Sequence, residues 1–150
     1  FTPHIQYHAR SKKDVPYTYN ADLVGMATDV DILICIVPGG PATDKIVNTE
    51  VMDALGKDGM LINVARGTVV DEAAMVKALQ DGRLGYAGLD VFEAEPKVPE
   101  ALFGMENVLL LPHVASATHE TRRAMGDLVT DNLSEFLKTG SVLTPIPECQ

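Results

Sequence analysis

Cysteine and tryptophan are the scarcest residue types of the 150-residue chain, which has two cysteines and no tryptophan. Cys35 lies inside an apolar run and Cys149 lies next to the last residue, so the two do not form the spaced pattern of a disulfide framework. Free thiols are typical of reducing compartments. A cytoplasmic protein is therefore expected.

Long apolar runs and basic residues are also scarce. No run reaches the roughly 18 to 20 apolar residues that a membrane span needs, and no signal peptide pattern opens the sequence. Twelve Lys and Arg against 21 Asp and Glu give a net charge of -9. This charge argues against nucleic acid or a membrane surface as a partner, and a small anionic ligand would need a local basic site.

Metal-ligand patterns are missing as well. The four histidines, His4, His8, His113 and His119, have neither ligand spacing nor cysteine neighbours. We therefore expect no metal site.

Apolar segments predict five strands, at residues 4–9, 31–37, 59–65, 86–91 and 107–111. The segment 31–37 is continuously apolar and ends at Pro38-Gly39, which favours a strand buried on both faces.

Helices are predicted between the strands and after them, at residues 20–27 with Asn20 as the N-cap, 48–55, 71–80 and 119–139. The last has an apolar stripe at helical spacing, which is more typical of a core than of a partner surface. Alternation of strands and helices indicates an α/β fold, a Rossmann-type doubly wound parallel sheet.

Polar residues stand where buried strands end. Arg66 follows one strand, Asp90 and Glu95 follow the next, and His113 follows the last. Because ligands of open α/β sheets bind outside the carboxyl ends of the strands, we expect these four side chains along one rim.

Three motifs carry a family resemblance: NVARGTVVDE at 63–72, GLDVFEAEP at 88–96 and LPHVASAT at 111–118. In this order and spacing they resemble the D-isomer-specific 2-hydroxyacid dehydrogenases, most of all the glyoxylate and hydroxypyruvate reductases. The resemblance covers nearly the whole chain. It implies an oxidoreductase that transfers a hydride between a nicotinamide cofactor, NAD(H) or NADP(H), and a small 2-oxo or 2-hydroxy acid.

The resemblance assigns a catalytic trio. It implies that Arg66 binds the substrate carboxylate, His113 is the acid/base and Glu95 orients His113. These residue types suit the chemistry, because a guanidinium fits a carboxylate bidentately and an unperturbed histidine titrates near pH 6.5. Taken singly, Arg66 also fits a surface ion pair, His113 a structural histidine and Glu95 a turn residue.

The resemblance also implies cofactor contacts. Asp90 would accept a hydrogen bond from the nicotinamide carboxamide, although an aspartate here also fits a capping role. Backbone contacts are implied at Val37, Pro38, Val64, Ala65 and Ala115. The last is the least typical position, since the family often has glycine there.

The loop after the first predicted strand bears on the choice of cofactor. Arg10, Ser11 and Lys12 stand where an NAD enzyme would place an acid for the ribose 2′-hydroxyl, and no acid occurs before Asp14. Two cations and a hydroxyl suit a 2′-phosphate. We therefore expect NADPH to be preferred, with NADH and a merely solvated basic loop as the alternatives.

The pattern lacks the first strand and the Gly-rich turn of a dinucleotide fold. We expect residues 1–140 to be a partial dinucleotide-binding domain and residues 141–150 a tail that returns toward a missing N-terminal substrate domain. The expected parent chain has about 300 to 330 residues, and the 150 residues alone are expected to be inactive. Family members resemble one another in forming homodimers.

Two other functions stay open on the sequence. One is an NAD-dependent 2-hydroxyacid dehydrogenase with another substrate, because the remaining substrate contacts belong to the missing domain. The other is a non-catalytic dinucleotide-sensing protein, because relatives of this fold serve as corepressors.

Overall fold

The computed structural model describes residues 4–146, which form two compact units, one reaching to His113 and one beginning at Val114. In chain order the first unit contains β1 (Gln6–Tyr7), β2 (Thr18–Tyr19), α1 (Leu23–Asp29), β3 (Ile32–Cys35), α2 (Thr49–Leu55), β4 (Met60–Asn63), α3 (Glu72–Gln80), β5 (Tyr86–Leu89) and β6 (Val108–Leu110), with short 3-10 turns at Gly67–Val69 and Glu100–Leu102. The second unit contains α4 (His119–Thr139).

The main sheet is parallel, in the order β3-β4-β5-β6. Its register aligns the last residues of the four strands, since Cys35 pairs with Asn63, Asn63 with Leu89 and Leu89 with Leu110. The segments that follow these strands therefore emerge side by side at one edge.

Strands β1 and β2 form a separate two-stranded parallel sheet. In the doubly wound order 3-2-1-4-5-6, such a pair and the main sheet would flank a first strand. No strand among residues 4–146 joins the two sheets. The arrangement agrees with the predicted Rossmann-type fold without its first strand, whereas β2 was not predicted.

Capping side chains set the helix starts. Asn48 caps α2 and Asp71 caps α3, each at the position where the sequence predicted the helix to begin. The prediction that Asn20 caps α1 was wrong, because the backbone N–H of Asn20 still donates to Tyr7 at the end of the β1-β2 pair. The cap is Asp22, whose side chain accepts from the Val24 N–H at 3.1 Å.

Within the described part of the first unit, helices cover one face of the main sheet. Leu33, Leu61 and Leu89 point to the covered face and are buried, whereas Ile34 and Leu109 on the other face are 47% and 62% exposed. The expectation that the segment 31–37 is buried on both faces was therefore wrong. Helix α1 packs on α2 and α2 on α3, so all three lie on the same side.

Cys35 is the last residue of β3, and its side chain lies on the covered face of the sheet. It is a free and buried thiol, and burial raises its pKa to about 12. Such a thiol is inert at neutral pH. Cys149 lies outside the described residues.

Helix α4 begins after its N-cap Thr118 and ends at Gly140, which adopts a left-handed conformation with φ 78°. None of its residues is buried, so the core role predicted for its apolar stripe was wrong within this unit. Within residues 114–146 the helix is followed by a tail, in which the Thr144 N–H donates to the side chain of Asn132 at 3.0 Å. The predicted tail is described only as far as residue 146.

No helix within residues 4–146 combines the length and the apolar character needed to cross a bilayer.

Candidate active site

A cleft of about 720 Å³ opens at the carboxyl ends of β3 and β4. Its lining comes from the segments that leave these two strands: Ile36, Val37, Pro38, Gly39, Val64, Ala65 and Arg66. The structure therefore brings five of the predicted site residues together, at the edge where α/β sheets bind ligands.

Arg66 is held by the turn that leaves β4. Asn63, the last residue of the strand, is 1% exposed, and its amide nitrogen donates to the Arg66 carbonyl at 3.0 Å. Its amide oxygen accepts from the Ala65 N–H at 3.1 Å. One buried side chain thus closes the turn from both ends.

The side chain of Arg66 crosses the backbone of Gly39. A methyl group added at Gly39 would lie 2.9 Å from Cγ of Arg66, closer than side chains tolerate. The Arg66 guanidinium also donates to the Ala65 carbonyl at 2.5 Å. The arginine lines the cleft and is exposed as a residue.

Gly67 joins the Arg66 turn to the segment after β5. A methyl group at this glycine would lie 1.9 Å from the carbonyl carbon of Phe92, so the two backbones touch directly. The close approach sets the Arg66 turn beside the loop that carries Glu95.

His113 and Glu95 form a hydrogen-bonded pair on the same edge. Nδ1 of His113 lies 2.8 Å from Oε2 of Glu95, and Oε1 of Glu95 accepts from the Phe92 N–H at 3.0 Å. An ionised carboxylate only accepts hydrogen bonds, so Nδ1 carries the proton of this contact. Proton exchange with a ligand is left to Nε2.

The bond from His113, followed by the bond from the Phe92 N–H, holds the pKa of Glu95 below its usual value, against smaller opposing effects of burial and of Asp90. Glu95 is therefore the carboxylate and the hydrogen-bond acceptor of the pair.

His113 has an unusual backbone for a residue with a side chain, with φ 55°. The Leu111 N–H donates to the Leu89 carbonyl at 2.8 Å, which extends the sheet up to the turn that carries the histidine. Left-handed backbone at a non-glycine residue is sparsely populated and is found at functional sites.

A second cavity, of about 300 Å³, lies against this pair. Glu95 and His113 form part of its wall, and the other lining residues are mostly apolar: Phe92, Pro96, Val98, Phe103, Leu110, Leu111 and Pro112. The pair of His113 and Glu95 thus has an apolar neighbourhood on one side.

Asp90 directly follows β5 and is 2% exposed. Its backbone N–H donates to the Asn63 carbonyl at 3.0 Å, so the segment after β5 runs beside the Arg66 turn. Asp90 is therefore at the carboxyl edge of the sheet.

The basic loop follows β1. Arg10, Ser11 and Lys12 are exposed, and the phenol of Tyr7 holds the loop through the backbone N–H and carbonyl of Lys13, at 2.7 and 3.1 Å. Nζ of Lys13 donates to the Ser11 hydroxyl at 3.3 Å. The loop thus presents three cations and a hydroxyl group without an acid among them.

Ala115 belongs to the second unit, and Arg10, Ser11 and Lys12 follow β1 of the two-stranded sheet. No group of three or more His, Cys, Asp or Glu within residues 4–146 is placed to hold a metal ion.

Sequence reasoning missed three residues that shape the site. They are Asn63, Gly67 and Glu72. Oε2 of Glu72 accepts a hydrogen bond from the Glu93 N–H at 3.0 Å. A polar residue at the end of an apolar strand was a signal for Asn63. No local signal pointed to the contacts of Gly67 and Glu72, which join segments more than 20 residues apart.

A parallel α/β sheet with a cleft, an arginine and a histidine-carboxylate pair at its carboxyl edge is the arrangement of a dinucleotide-dependent oxidoreductase domain. Residues 1–115 match the sequence profile of the D-isomer specific 2-hydroxyacid dehydrogenase NAD binding domain. The chain belongs to this family, which confirms the resemblance read from its three motifs.

The chain is 54% identical over 143 residues to hydroxyphenylpyruvate reductase from Plectranthus scutellarioides, a match that covers 95% of this chain and 46% of that protein. It is 53% identical over 147 residues to glyoxylate/hydroxypyruvate reductase A from Arabidopsis thaliana, covering 97% and 47%.

Among solved structures, the chain resembles the NADPH-dependent glyoxylate/hydroxypyruvate reductase of Sinorhizobium meliloti in complex with NADP and malonate. The TM-score is 0.90 at 57% identity, over 96% of this chain and 46% of that one. The chain thus spans about half the length of the relatives that it matches.

Proposed function

We propose that this chain is the cofactor domain of a two-domain oxidoreductase that transfers a hydride between NADP(H) and a small 2-oxo or 2-hydroxy acid, as a glyoxylate or hydroxypyruvate reductase does. The observation that carries the proposal is the 2.8 Å contact between His113 and Glu95 at the same edge of the sheet as Arg66. The relatives are about twice as long as the chain, which supports a second domain.

The three side chains divide the chemistry of carbonyl reduction. The guanidinium of Arg66 binds the substrate carboxylate, a charge-assisted contact worth about 1.5–3 kcal/mol. His113 donates a proton from Nε2 to the carbonyl oxygen and takes it back in the reverse reaction. Glu95 stabilises the imidazolium and fixes which nitrogen faces the substrate.

The residues at the carboxyl edge fit a nicotinamide cofactor, which supplies the hydride when bound. Val37, Pro38, Val64 and Ala65 line a cleft with an apolar wall on which a flat ring can lie. Asp90 would orient the carboxamide, and the backbone at Ala115 would contribute a further contact.

We assign the 2′-phosphate of NADPH to Arg10, Ser11 and Lys12. The support is chemical, because the loop that follows β1 offers cations and a hydroxyl group and no carboxylate before Asp14. The Sinorhizobium meliloti reductase, which is NADPH-dependent, supports the same choice.

The enzyme is further proposed to be a cytoplasmic homodimer. The free thiol of Cys35 and the small number of cysteines suit a reducing compartment. Sedimentation of the two-domain enzyme and cell fractionation test the two statements separately.

The test is a steady-state assay of the two-domain enzyme with glyoxylate and hydroxypyruvate, in which oxidation of NADPH and NADH is followed separately. We expect turnover with NADPH that falls by about 10²-fold or more when His113 is replaced by Asn. Tight NADPH binding without turnover would favour the dinucleotide-sensing function instead.

A further inference from the structure

We propose that Asn63 is a positioning residue for substrate binding, acting through Arg66. The inference rests on the proposed function, and it concerns a side chain to which sequence reasoning gave no role. Asn63 is 1% exposed, so its side chain acts on the site through the residues that it contacts and not through a group that faces the cleft.

The side-chain carboxamide of Asn63 makes two hydrogen bonds. Its nitrogen donates to the Arg66 carbonyl at 3.0 Å and its oxygen accepts from the Ala65 N–H at 3.1 Å. Both partners are backbone groups of one turn, so the side chain determines the course of that turn. A buried amide left without its partners is costly, which keeps these bonds formed.

The turn that carries Arg66 is attached to the sheet through Asn63. The backbone carbonyl of Asn63 accepts from the Asp90 N–H at 3.0 Å, and Asn63 pairs in register with Cys35 and Leu89. Asn63 is therefore fixed by the two neighbouring strands, and it transmits that fixed position to Arg66.

Close contacts surround Arg66 on both sides of its turn. The stem of the Arg66 side chain crosses Gly39, and the next residue, Gly67, touches the Phe92 backbone. A shift of the Arg66 carbonyl would therefore move the guanidinium relative to Glu95 and His113. Misplacement of a binding group by about 1 Å costs on the order of 10²-fold in rate.

The substitution Asn63→Asp removes one of the two hydrogen bonds and keeps the other. It keeps an oxygen that accepts from the Ala65 N–H and replaces the donor that faces the Arg66 carbonyl. We expect the KM for glyoxylate to rise by about 10- to 100-fold, while the Kd for NADPH changes by less than about threefold. The pH dependence of kcat should keep its shape, because His113 and Glu95 are untouched.

Asn107→Asp is the matched control. Asn107 also donates from its amide nitrogen to a backbone carbonyl, that of Gly85 at 2.8 Å, but it precedes β6 at the opposite edge of the sheet. This variant should lower the melting temperature without changing the KM for glyoxylate.

A double-mutant cycle with Arg66→Ala then tests the route of action. If Asn63 acts through Arg66, Asn63→Asp should add less than about twofold to the KM of Arg66→Ala. Full additivity, or an equal rise of KM in Asn107→Asp, would overturn the inference.

Failure of the variant to fold and absence of turnover in the unsubstituted enzyme are two further possible outcomes. If Asn63→Asp does not fold, Asn63→Ser is measured in the same cycle with the same expectation. Absence of turnover in the unsubstituted enzyme would overturn the proposed function, and the inference with it, whereas normal turnover with an unchanged KM in the Asn63 variants would overturn the inference alone.

Discussion

Glu95 joins His113 to the backbone of Phe92, because its two carboxylate oxygens contact Nδ1 of the histidine at 2.8 Å and the Phe92 N–H at 3.0 Å. The contact with Phe92 thereby fixes the carboxylate that orients the imidazole. Both contacts also lower the pKa of Glu95.

The first prediction concerns catalysis by this pair. Glu95→Gln keeps the size of the side chain but removes the charge that stabilises the imidazolium. We expect kcat for glyoxylate reduction to fall by about 10- to 100-fold, and the alkaline limb of the pH-rate profile to move to lower pH. An unchanged profile in steady-state assays would contradict the role of Glu95.

The second prediction concerns stability against acid. Because the pKa of Glu95 is lower in the folded state, its contacts stabilise the protein above the ordinary glutamate pKa of about 4.3 and are lost as pH falls through the lower folded value. The difference in melting temperature between the unsubstituted enzyme and Glu95→Gln should therefore be largest near pH 6 to 7 and shrink below about pH 4. A difference that grows on acidification would contradict the assigned shift.

The third prediction concerns Gly67. Gly67→Ala places a methyl group 1.9 Å from the Phe92 carbonyl carbon, so the Arg66 turn and the Glu95 loop must separate. We expect a loss of about 1–3 kcal/mol in the free energy of unfolding, together with a loss of activity. Gly88→Ala is the control, since its methyl group would lie 3.7 Å from Ile62, an ordinary contact. Equal unfolding curves for the two variants would count against the close approach at Gly67.

The fourth prediction concerns Glu72. Glu72→Ala removes the acceptor of the Glu93 N–H and should destabilise the enzyme by about 0.5–1.5 kcal/mol, whereas Glu72→Gln keeps an acceptor and should lose less. Chemical denaturation measures both, and identical losses would show that the hydrogen bond contributes nothing.

The fifth prediction concerns cofactor choice. Replacing Arg10 and Lys12 by Gln should weaken NADPH binding by about 10-fold or more and leave NADH binding nearly unchanged, because only NADPH carries the 2′-phosphate. Lys57→Gln is the control for charge, since Lys57 pairs with Asp58 and lies before β4. Equal weakening of both cofactors in the loop variant would refute the assignment.

Local patterns predicted the order of elements well. Apolar runs located β3 to β6, and the caps Asn48, Asp71 and Gly140 set helix ends because a cap acts on its own turn. Asn20 and Asp22 are both suitable caps by residue type, and the choice between them depends on the pairing of β1 with β2, which the pattern of a short polar stretch does not reveal.

The other features depend on contacts between segments that are distant in the sequence, and local patterns do not predict such contacts. The apolar run at 31–37 indicates a hydrophobic segment, but it does not say how many layers cover the sheet. The motifs identified Arg66, Glu95 and His113 as residue types suited to the chemistry. The residues that orient them, Asn63 and Gly67, act through the backbone of a folded turn and of a neighbouring loop.

The most direct measurement follows the hydride itself. The two-domain enzyme is given NADPH with deuterium at the transferred C4 position together with glyoxylate, and the glycolate is analysed by mass spectrometry. We predict one deuterium at C2 of the product, formed about 10²-fold or more slowly when His113 is replaced by Ala. Glycolate without deuterium, or an undiminished rate in His113→Ala, would contradict hydride transfer assisted by His113.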